Sequence, residues 1–416
     1  AAAAMPLLPE TYDALTHLDD RLVKVLASSA IRLVRSEWLL EQPAGFRMTY
    51  RQRLEDLERE GAFPSPLLSA EEAVALVRRG ERAAAVLSHG WLSPGDPDPA
   101  GARLHIVLST LRAQPHLEAI FWDYSSLFQH PPGGRRTAGE TAAFGMALDV
   151  MGDLYASAIG TTVLQIKEIP PRPSEFDGAI CLFNVVEGTA EADIRAALRR
   201  FGTISSCQLS TPAVGVVRFS THEAAVAATA NPAILSHLCA GVATLYNARS
   251  YDGRRGDSEH EDDNGRGWCC FESSVSSEVT SRLTVYPKLR AELEKLPPKL
   301  LLLGSDSEAS AERQSITYGG EELGARVQQI VSAIENATFT GAGDKPKVVG
   351  MYKEYVSRIA VVLQSTLALA ATSTAMQDLP TEPDILPPAS SQPLSFANGQ
   401  LLLVLSERDA RRSGSE

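Results

Sequence analysis

The stretch Arg266-Gly-Trp-Cys-Cys-Phe-Glu272 decides how the chain is interpreted, because it predicts a helix that carries one tryptophan and one carboxylate. Trp268 and Glu272 are four residues apart, so on a helix they would share one face. The overlapping run Gly265-Arg-Gly267 predicts a turn that leads into the helix N-terminus. In an isolated pair of this kind, the tryptophan would anchor a core helix and the glutamate would be solvated. The segments upstream favour a functional role for Glu272.

The composition is that of a soluble globular protein, with 44% hydrophobic and 22% charged residues. A chain of 416 residues is too long for one ordinary core, which predicts two domains joined by linkers. The formal net charge of −12 argues against binding to nucleic acid or to an anionic membrane surface. The five cysteines are odd in number and form no C-x-x-C pair, which favours a reduced, cytoplasmic protein without a zinc site. The most apolar C-terminal run, residues 359–371, is short and interrupted for a membrane span, so no membrane association is expected.

Short apolar runs alternate with helical patterns in the segment that follows the first 80 residues. Strands are predicted at residues 83–87, 118–123 and 161–166, with helices at 104–111 and 137–155. Apolar runs of this kind are typical of parallel strands that are buried on both faces. The alternation predicts an α/β fold built on a doubly wound parallel sheet.

Polar side chains follow the first two predicted strands, where their loops begin. They are Ser88, His89, Trp91, Asp123, Tyr124 and Gln129. In doubly wound sheets the ligand lies in a crevice outside the carboxyl ends of the strands. We therefore expect these side chains to form a substrate pocket, with Trp268 and Glu272 facing it from the later helix.

Four segments in series resemble the motifs of heterokaryon-incompatibility (HET) domains. They are Ala85-Val-Leu-Ser-His-Gly-Trp91, Phe121-Trp-Asp-Tyr-Ser-Ser-Leu-Phe-Gln129, Met151-Gly-Asp-Leu-Tyr-Ala-Ser-Ala158 and Arg266-Gly-Trp-Cys-Cys-Phe-Glu272. The Trp-Cys-x-x-Glu spacing also resembles the helix of plant-type Toll/interleukin-receptor (TIR) domains, which have a related flavodoxin-like fold. The resemblance covers about residues 83–168 and 265–285, and it implies a flavodoxin-like sheet. One departure is Ser126-Leu-Phe, where HET domains have Cys-Ile-Asn.

The resemblance implies two functions. By the first, the protein is a non-catalytic signalling or assembly module that acts through protein partners or self-association. The divergent unit at residues 177–252, and the lack of a counterpart to the TIR self-association loop, favour this role. By the alternative, Glu272 corresponds to the glutamate with which enzymatic TIR domains cleave the nicotinamide–ribose bond of NAD. A carboxylate can stabilise the oxocarbenium-like transition state of that cleavage, and Trp91 or Trp268 would stack on the leaving ring. NAD would then be the substrate, and no cofactor or metal would be required.

A separate unit interrupts the α/β pattern after Pro170-Pro-Arg-Pro173. Residues 177–252 show the order βαββαβ, which predicts a split βαβ fold and resembles an RNA-recognition motif (RRM). RRMs stack bases on aromatic side chains of two strands. At those positions this chain has Cys181, Val214 and Val216, and the remaining aromatic, Phe219, is expected to pack inward. The unit also holds five arginines, no lysine and six acids, so RNA binding is the least favoured function and no RNA-binding residues are assigned.

The remaining segments complete the predicted organisation. A helical extension is expected at residues 9–79, where Ser69-Ala-Glu-Glu72 predicts a capping box. The flavodoxin-like domain is expected at residues 80–170 and 264–296, the RRM-like insert at 177–252, an acidic linker at 253–263, a helical region at 320–372 and a largely disordered tail at 379–416. His260 lies among linker acids, which predict a hydrated hinge better than a metal site. The insert is expected to open beside the pocket, where it would either contact a protein partner or cover the crevice and gate access to Glu272.

Overall fold

The computed structural model describes residues 15–131, 134–211, 214–253, 264–282, 287–304, 310–311, 320–339, 341 and 343–377. Within these residues the protein is α/β, with two sheets and many helices. The predicted tail at 379–416 and residues 254–263 of the predicted linker lie outside the described residues. No helix in the described ranges has the length and apolarity that crossing a membrane would require.

Six strands of the described chain form the larger sheet. They are Val34–Arg35 (β1), Ala84–His89 (β2), Ala119–Phe121 (β3), Thr161–Ile166 (β4), Leu300–Leu303 (β9) and Ser310–Ala311 (β10). Their order is β1-β3-β2-β4-β9-β10, with β3, β2, β4 and β9 parallel and the two edge strands antiparallel. Strands β2, β3 and β4 lie where the apolar runs predict them. Strands β1, β9 and β10 lie outside the predicted domain boundaries, and the sequence reasoning missed the leucine run of β9 after Pro297-Pro298.

The pairing of β4 with β9 joins chain segments from before and after the insert. Val163 to Ile166 pair in parallel with Leu300 to Leu303. The strand before the insert and the strand after it therefore belong to one sheet. Contacts divide the chain into a unit that ends at Leu369 and a second that begins at Ala370, and both sheets lie in the first.

Helices cover both faces of the larger sheet. They are Asp20–Ala27 (α1), Ser36–Leu40 (α2), Arg51–Arg59 (α3), Ala70–Arg78 (α4), Ala102–Ala113 (α5), Asp123–Ser126 (α6), Ala138–Ala156 (α7), Gly267–Ser276 (α10), Glu278–Arg282 (α11), Pro287–Leu293 (α12), Gly320–Asn336 (α13) and Asp344–Gln377 (α14). Ala84 and Val86 of β2 face a first core with α1, α4, α7, α10, α13 and α14. Ala85 and Leu87 face a second core with α2, α3 and α5. Successive side chains of a strand point to opposite faces, which is why a strand buried on both sides is apolar throughout.

Two helix starts show why the local sequence forms helix. At α4 the Ser69 hydroxyl accepts from the Glu72 amide at 3.1 Å, and the Glu72 carboxylate accepts from the Ser69 amide at 2.7 Å. The predicted capping box is thus confirmed. Thr137 and Glu140 form the same reciprocal pair at the start of α7. Each box satisfies two backbone donors that a helix N-terminus otherwise leaves unpaired.

The insert has its own sheet and core. Its elements are Ala179–Val185 (β5), Glu191–Leu198 (α8), Ile204–Thr211 (β6), Val214–Phe219 (β7), His222–Thr229 (α9) and Cys239–Thr244 (β8). The four strands pair antiparallel in the order β6-β7-β5-β8, and the two helices pack on one face. Phe219 is 3% exposed and belongs to this core, as predicted.

Candidate functional site

Glu272 lies on α10, whose start is held by a close backbone contact. The Gly267 amide donates to the Thr338 carbonyl at 2.9 Å, and the Thr338 amide donates to the Gly265 carbonyl at 3.1 Å. Gly265 has φ +75°, and a Cβ on Gly267 would lie 2.1 Å from the ring of Phe339. Both glycines of the predicted turn are therefore needed, one for its backbone conformation and one for the close approach.

The carboxylate of Glu272 is buried in a cluster of hydroxyl groups. It is 7% exposed and accepts a hydrogen bond of 2.5 Å from Ser88 Oγ, at the carboxyl end of β2. Ser88 Oγ shares a second hydrogen bond, of 2.6 Å, with the hydroxyl of Tyr251. The Tyr155 hydroxyl, on the same side of the sheet, donates to the Leu87 carbonyl at 3.1 Å. We call Ser88, Tyr155, Tyr251 and Glu272 the Glu272 cluster.

Burial sets the protonation chemistry of this cluster. It raises the pKa of Glu272 well above the ordinary value for glutamate; the Ser88 hydrogen bond opposes the rise and the charge of Asp123 adds to it. Burial also raises the pKa of the Tyr251 and Tyr155 hydroxyls, so both stay neutral donors. A carboxyl group with a strongly perturbed pKa and a specific charged neighbour is a candidate acid–base or charge-stabilising group.

Asp123 supplies a second perturbed carboxyl group beside the cluster. Its Oδ2 accepts from Trp91 Nε1 at 2.6 Å and its Oδ1 from the Tyr124 amide at 2.7 Å. Burial raises the pKa of Asp123 to about 6, against the lowering effect of both hydrogen bonds. The Trp91 and Tyr124 rings meet edge to face at 5.8 Å. The structure thus brings the half-buried Asp123, Trp91 and Tyr124 together, with Asp123 close enough to Glu272 for its charge to raise the pKa of that carboxyl group.

Gln129 has a structural position in this loop. Its Nε2 donates to the carbonyls of Asp123 and Leu127, each at 3.1 Å. The side-chain amide therefore holds the backbone of the loop after β3, and the structure does not direct it at Glu272.

His89 lies on the opposite face of the sheet from Ser88. Its ring meets that of Trp122 edge to face at 5.5 Å, in the region of the second core. Burial, with the charges of Arg103 and Arg266, lowers the pKa of His89 well below its usual value, so the ring is neutral. Adjacent strand residues point to opposite faces, so the structure does not bring His89 into the Glu272 cluster.

Trp268 is also held away from the cluster. Its Nε1 donates to Asp344 Oδ2 at 3.0 Å, and its ring packs edge to face on Phe271 at 6.2 Å. The helical spacing places Trp268 and Glu272 four residues apart, but their side chains bind different partners. The structure therefore does not bring Trp268 into the predicted pocket with Ser88 and Glu272.

Sequence reasoning missed Tyr251, Gln165 and Cys269. Tyr251 is 1% exposed and comes from the segment that returns from the insert. Cys269 is 3% exposed, and burial together with the Glu272 charge raises its pKa well above its usual value, so it stays a neutral thiol. Gln165 was detectable as the polar residue near the end of an otherwise buried strand, Thr161-Thr-Val-Leu-Gln-Ile166. Tyr251 carried no local signal, and Cys269 was noticed only as part of the Trp-Cys-x-x-Glu spacing.

Arg266 joins the insert to the loop after β2. Its guanidinium donates to the carbonyls of Trp91 at 2.6 Å, Asn247 at 2.9 Å and Arg249 at 3.0 Å. A Cβ on Gly90 would lie 2.3 Å from Arg266 Nε, so glycine is needed for this approach. The arginine of the fourth motif therefore joins the segment that returns from the insert to the loop after β2.

In the part of the chain that the structure describes, no group of three or more His, Cys, Asp or Glu side chains is placed to hold a metal ion. Comparison of the chain with protein-family models, curated proteins and solved structures finds no match. Inference of function therefore depends on the chemistry of the residues themselves.

Proposed function

We propose that the protein hydrolyses the bond between nicotinamide and ribose in NAD, with Glu272 as the central carboxylate. The observation that carries this proposal is the hydrogen bond of 2.5 Å between Ser88 Oγ and Glu272, which is 7% exposed. This hydrogen bond links Glu272, the carboxylate that the TIR resemblance assigns to catalysis, to the carboxyl end of the parallel strand β2. The alternative, a solvated glutamate on a core helix, would leave this carboxylate facing water.

The sheet order supports a crevice at this position. The four parallel strands lie side by side in the order β3-β2-β4-β9. If they are renumbered 1 to 4 along the chain, this order is 2-1-3-4. A flavodoxin-like fold has this arrangement, and it binds its ligand outside the carboxyl ends of the first and third strands, where the order reverses. Here those strands are β2 and β4, and Ser88 lies at the end of β2. The RRM-like interpretation of the insert is supported in the same way by its element order.

The chemistry needs an anion close to the ribose. The C1′–N1 bond breaks with its electron pair on the ring nitrogen, so nicotinamide leaves as a neutral molecule. Positive charge develops at C1′, and the Glu272 carboxylate would stabilise it in surroundings of low polarity. Water adds at C1′ and gives up a proton, so the products are ADP-ribose, nicotinamide and one proton. The positive charge of the bound ring would favour the ionised form of Glu272.

The non-catalytic assembly role is the second candidate, and one observation favours it. Tyr251 is 1% exposed and hydrogen-bonded to Ser88, so the chain itself occupies the space beside Glu272. A substrate would have to displace this tyrosine. In an assembly module the same contacts would serve only to hold the insert on the sheet.

Nicotinamide release from NAD by the purified protein separates the two candidates. We expect the wild type to release nicotinamide, and Glu272→Gln to lose about 100-fold or more of the rate, because the amide cannot stabilise developing positive charge. Glu71→Gln, at an exposed position of α4, is the matched control and should keep the wild-type rate.

Two results would refute catalysis. One is the absence of nicotinamide release by the wild type, and the other is equal release by Glu272→Gln. Light scattering of the same samples would then test self-association.

A further inference from the structure

Gln165 carries a buried amide that has no partner in the protein. The residue is 0% exposed. Among the described residues, nothing donates to its Oε1 or accepts from its Nε2. A buried amide without hydrogen bonds is costly, because it has lost water on both its donor and its acceptor side. Buried polar groups in native proteins are normally hydrogen-bonded, so we expect the Gln165 amide to bind a partner. The position of Gln165 indicates the chemistry of that partner.

Gln165 stands beside Ser88 at the carboxyl edge of the sheet. The two residues are register partners in the parallel strands β4 and β2. Register partners on adjacent strands point to the same face, with their Cβ atoms about 5 Å apart. Ser88 uses that face to reach Glu272 at 2.5 Å and Tyr251 at 2.6 Å. The Gln165 side chain therefore leaves the sheet on the face that carries the Glu272 cluster, between the two strands where the sheet order reverses.

A primary amide is matched best by another primary amide. The Gln165 side chain offers a carbonyl acceptor and an NH₂ donor side by side, and a carboxamide presents the complementary pair. A carboxylate presents acceptors only, so it would leave the Gln165 carbonyl facing a second acceptor and would add a negative charge near Glu272. Nicotinamide carries a carboxamide, whereas nicotinic acid carries a carboxylate at the same ring position.

We propose that Gln165 binds the carboxamide of the nicotinamide ring and makes the site select NAD over its acid analogue, nicotinic acid adenine dinucleotide. This inference rests on the proposed NAD cleavage and adds a specificity-determining residue to it. Gln165 positions the leaving group, and Glu272 faces the ribose.

The test compares the two dinucleotides as substrates of the full-length protein. We expect the wild type to favour NAD in kcat/KM by about 100-fold, since the carboxylate of the analogue would leave the buried carbonyl of Gln165 without a donor. Gln165→Met keeps the side-chain length without the amide, and should bring the ratio close to one, mainly by raising KM for NAD. Gln208→Met, at an exposed position of β6, is the matched control and should keep the wild-type ratio.

The wild-type ratio alone tests the inference even if Gln165→Met does not fold. A wild type that cleaves both dinucleotides equally overturns the role of Gln165 and leaves NAD cleavage standing; the amide then binds ordered water only. If the wild type cleaves neither, the proposed function fails. Calorimetric titration with nicotinamide and with nicotinic acid then decides. Binding of nicotinamide alone, lost in Gln165→Met, supports the assignment, and binding of neither or of both overturns it.

Discussion

Glu272 shows how burial changes what one side chain can do. A carboxyl group in water titrates near its ordinary pKa and makes no lasting contact. Here the same group is 7% exposed, accepts from Ser88, and has a pKa that burial raises well above the ordinary value. Asp123, beside it, has a pKa of about 6 for the same reason. Two neighbouring carboxyl groups with unequal environments can hold different protonation states near neutral pH.

The titration of Asp123 should be visible in the fluorescence of Trp91. Since Trp91 Nε1 donates to Asp123 Oδ2 at 2.6 Å, ionisation of the carboxyl group changes the charge beside the indole. We expect the difference spectrum between the wild type and Trp91→Phe to change with a midpoint near pH 6. The difference between Asp123→Asn and the double variant Asp123→Asn/Trp91→Phe should not change with pH in this range. A midpoint near pH 4 would contradict the effect of burial.

The raised pKa of Asp123 also determines how its contribution to the stability of the fold changes with pH. Because the folded-state pKa of Asp123 is raised, the stability contributed by its protonated form is fully present below its ordinary pKa of 3.8 and is lost as the pH rises through about 6. The melting temperature of Asp123→Asn, relative to the wild type, should therefore rise between pH 4 and pH 8.

At the scale of elements, α10 owes its position to glycine on its neighbour α7. A Cβ on Gly152 would lie 2.7 Å from the Phe271 ring and 3.6 Å from Met351. Phe271 is 1% exposed in the first core, so its ring has little freedom to move. The absence of a side chain at Gly152 thus lets α10 approach α7 closely enough for Glu272 to reach Ser88.

Gly152→Ala should lower the free energy of unfolding by about 1–3 kcal/mol, because overpacking a tight core forces side chains or backbone to shift. Gly145→Ala, in the same helix, is the control: its Cβ would meet nothing within 4 Å. There we expect a gain of about 0.5–1 kcal/mol from the better helix propensity of alanine. Urea denaturation measures both. Equal effects of the two substitutions would show that the Phe271 contact does not limit the packing.

At the scale of the molecule, the insert is attached to the sheet beside the loop that follows β2. The chain leaves the sheet after β4 and returns beside the loop that follows β2, where the Asn247 amide donates to the Leu92 carbonyl at 2.8 Å. The Tyr246 hydroxyl donates to the Pro170 carbonyl at 2.7 Å, which closes the two ends of the insert on each other. Arg266 then ties this return segment to the sheet. These contacts hold the return segment, which carries Tyr251, against the sheet at Ser88.

Arg266→Lys should loosen this attachment. An ammonium group cannot span the three carbonyls that the planar guanidinium reaches, so we expect the free energy of unfolding to fall by about 2–4 kcal/mol. Hydrogen exchange shows where the structure is loosened. The Asn247 amide should exchange faster, while the backbone amides that pair β5 with β8 should keep their protection. Arg199→Lys, at the exposed residue that follows α8, should change neither. Uniform loss of protection across the insert would contradict a local role for Arg266.

The sequence by itself determined the local elements of this protein. Apolar runs located β2, β3 and β4, Ser69 and Glu72 marked the start of α4, and the glycines at 265 and 267 marked the turn before α10. These features depend on residues a few positions apart, where backbone sterics and helix or strand periodicity act directly.

Only the tertiary structure decided which side chains meet. Ser88 and Glu272 are 184 residues apart in the chain, and Ser88 and Tyr251 are 163 apart. Strand alternation sent His89 to the face opposite Ser88, and the register of β4 against β2 placed Gln165 beside Ser88. Such contacts depend on register and on the packing of distant elements. A one-residue change of register would reverse every face without altering the local sequence pattern.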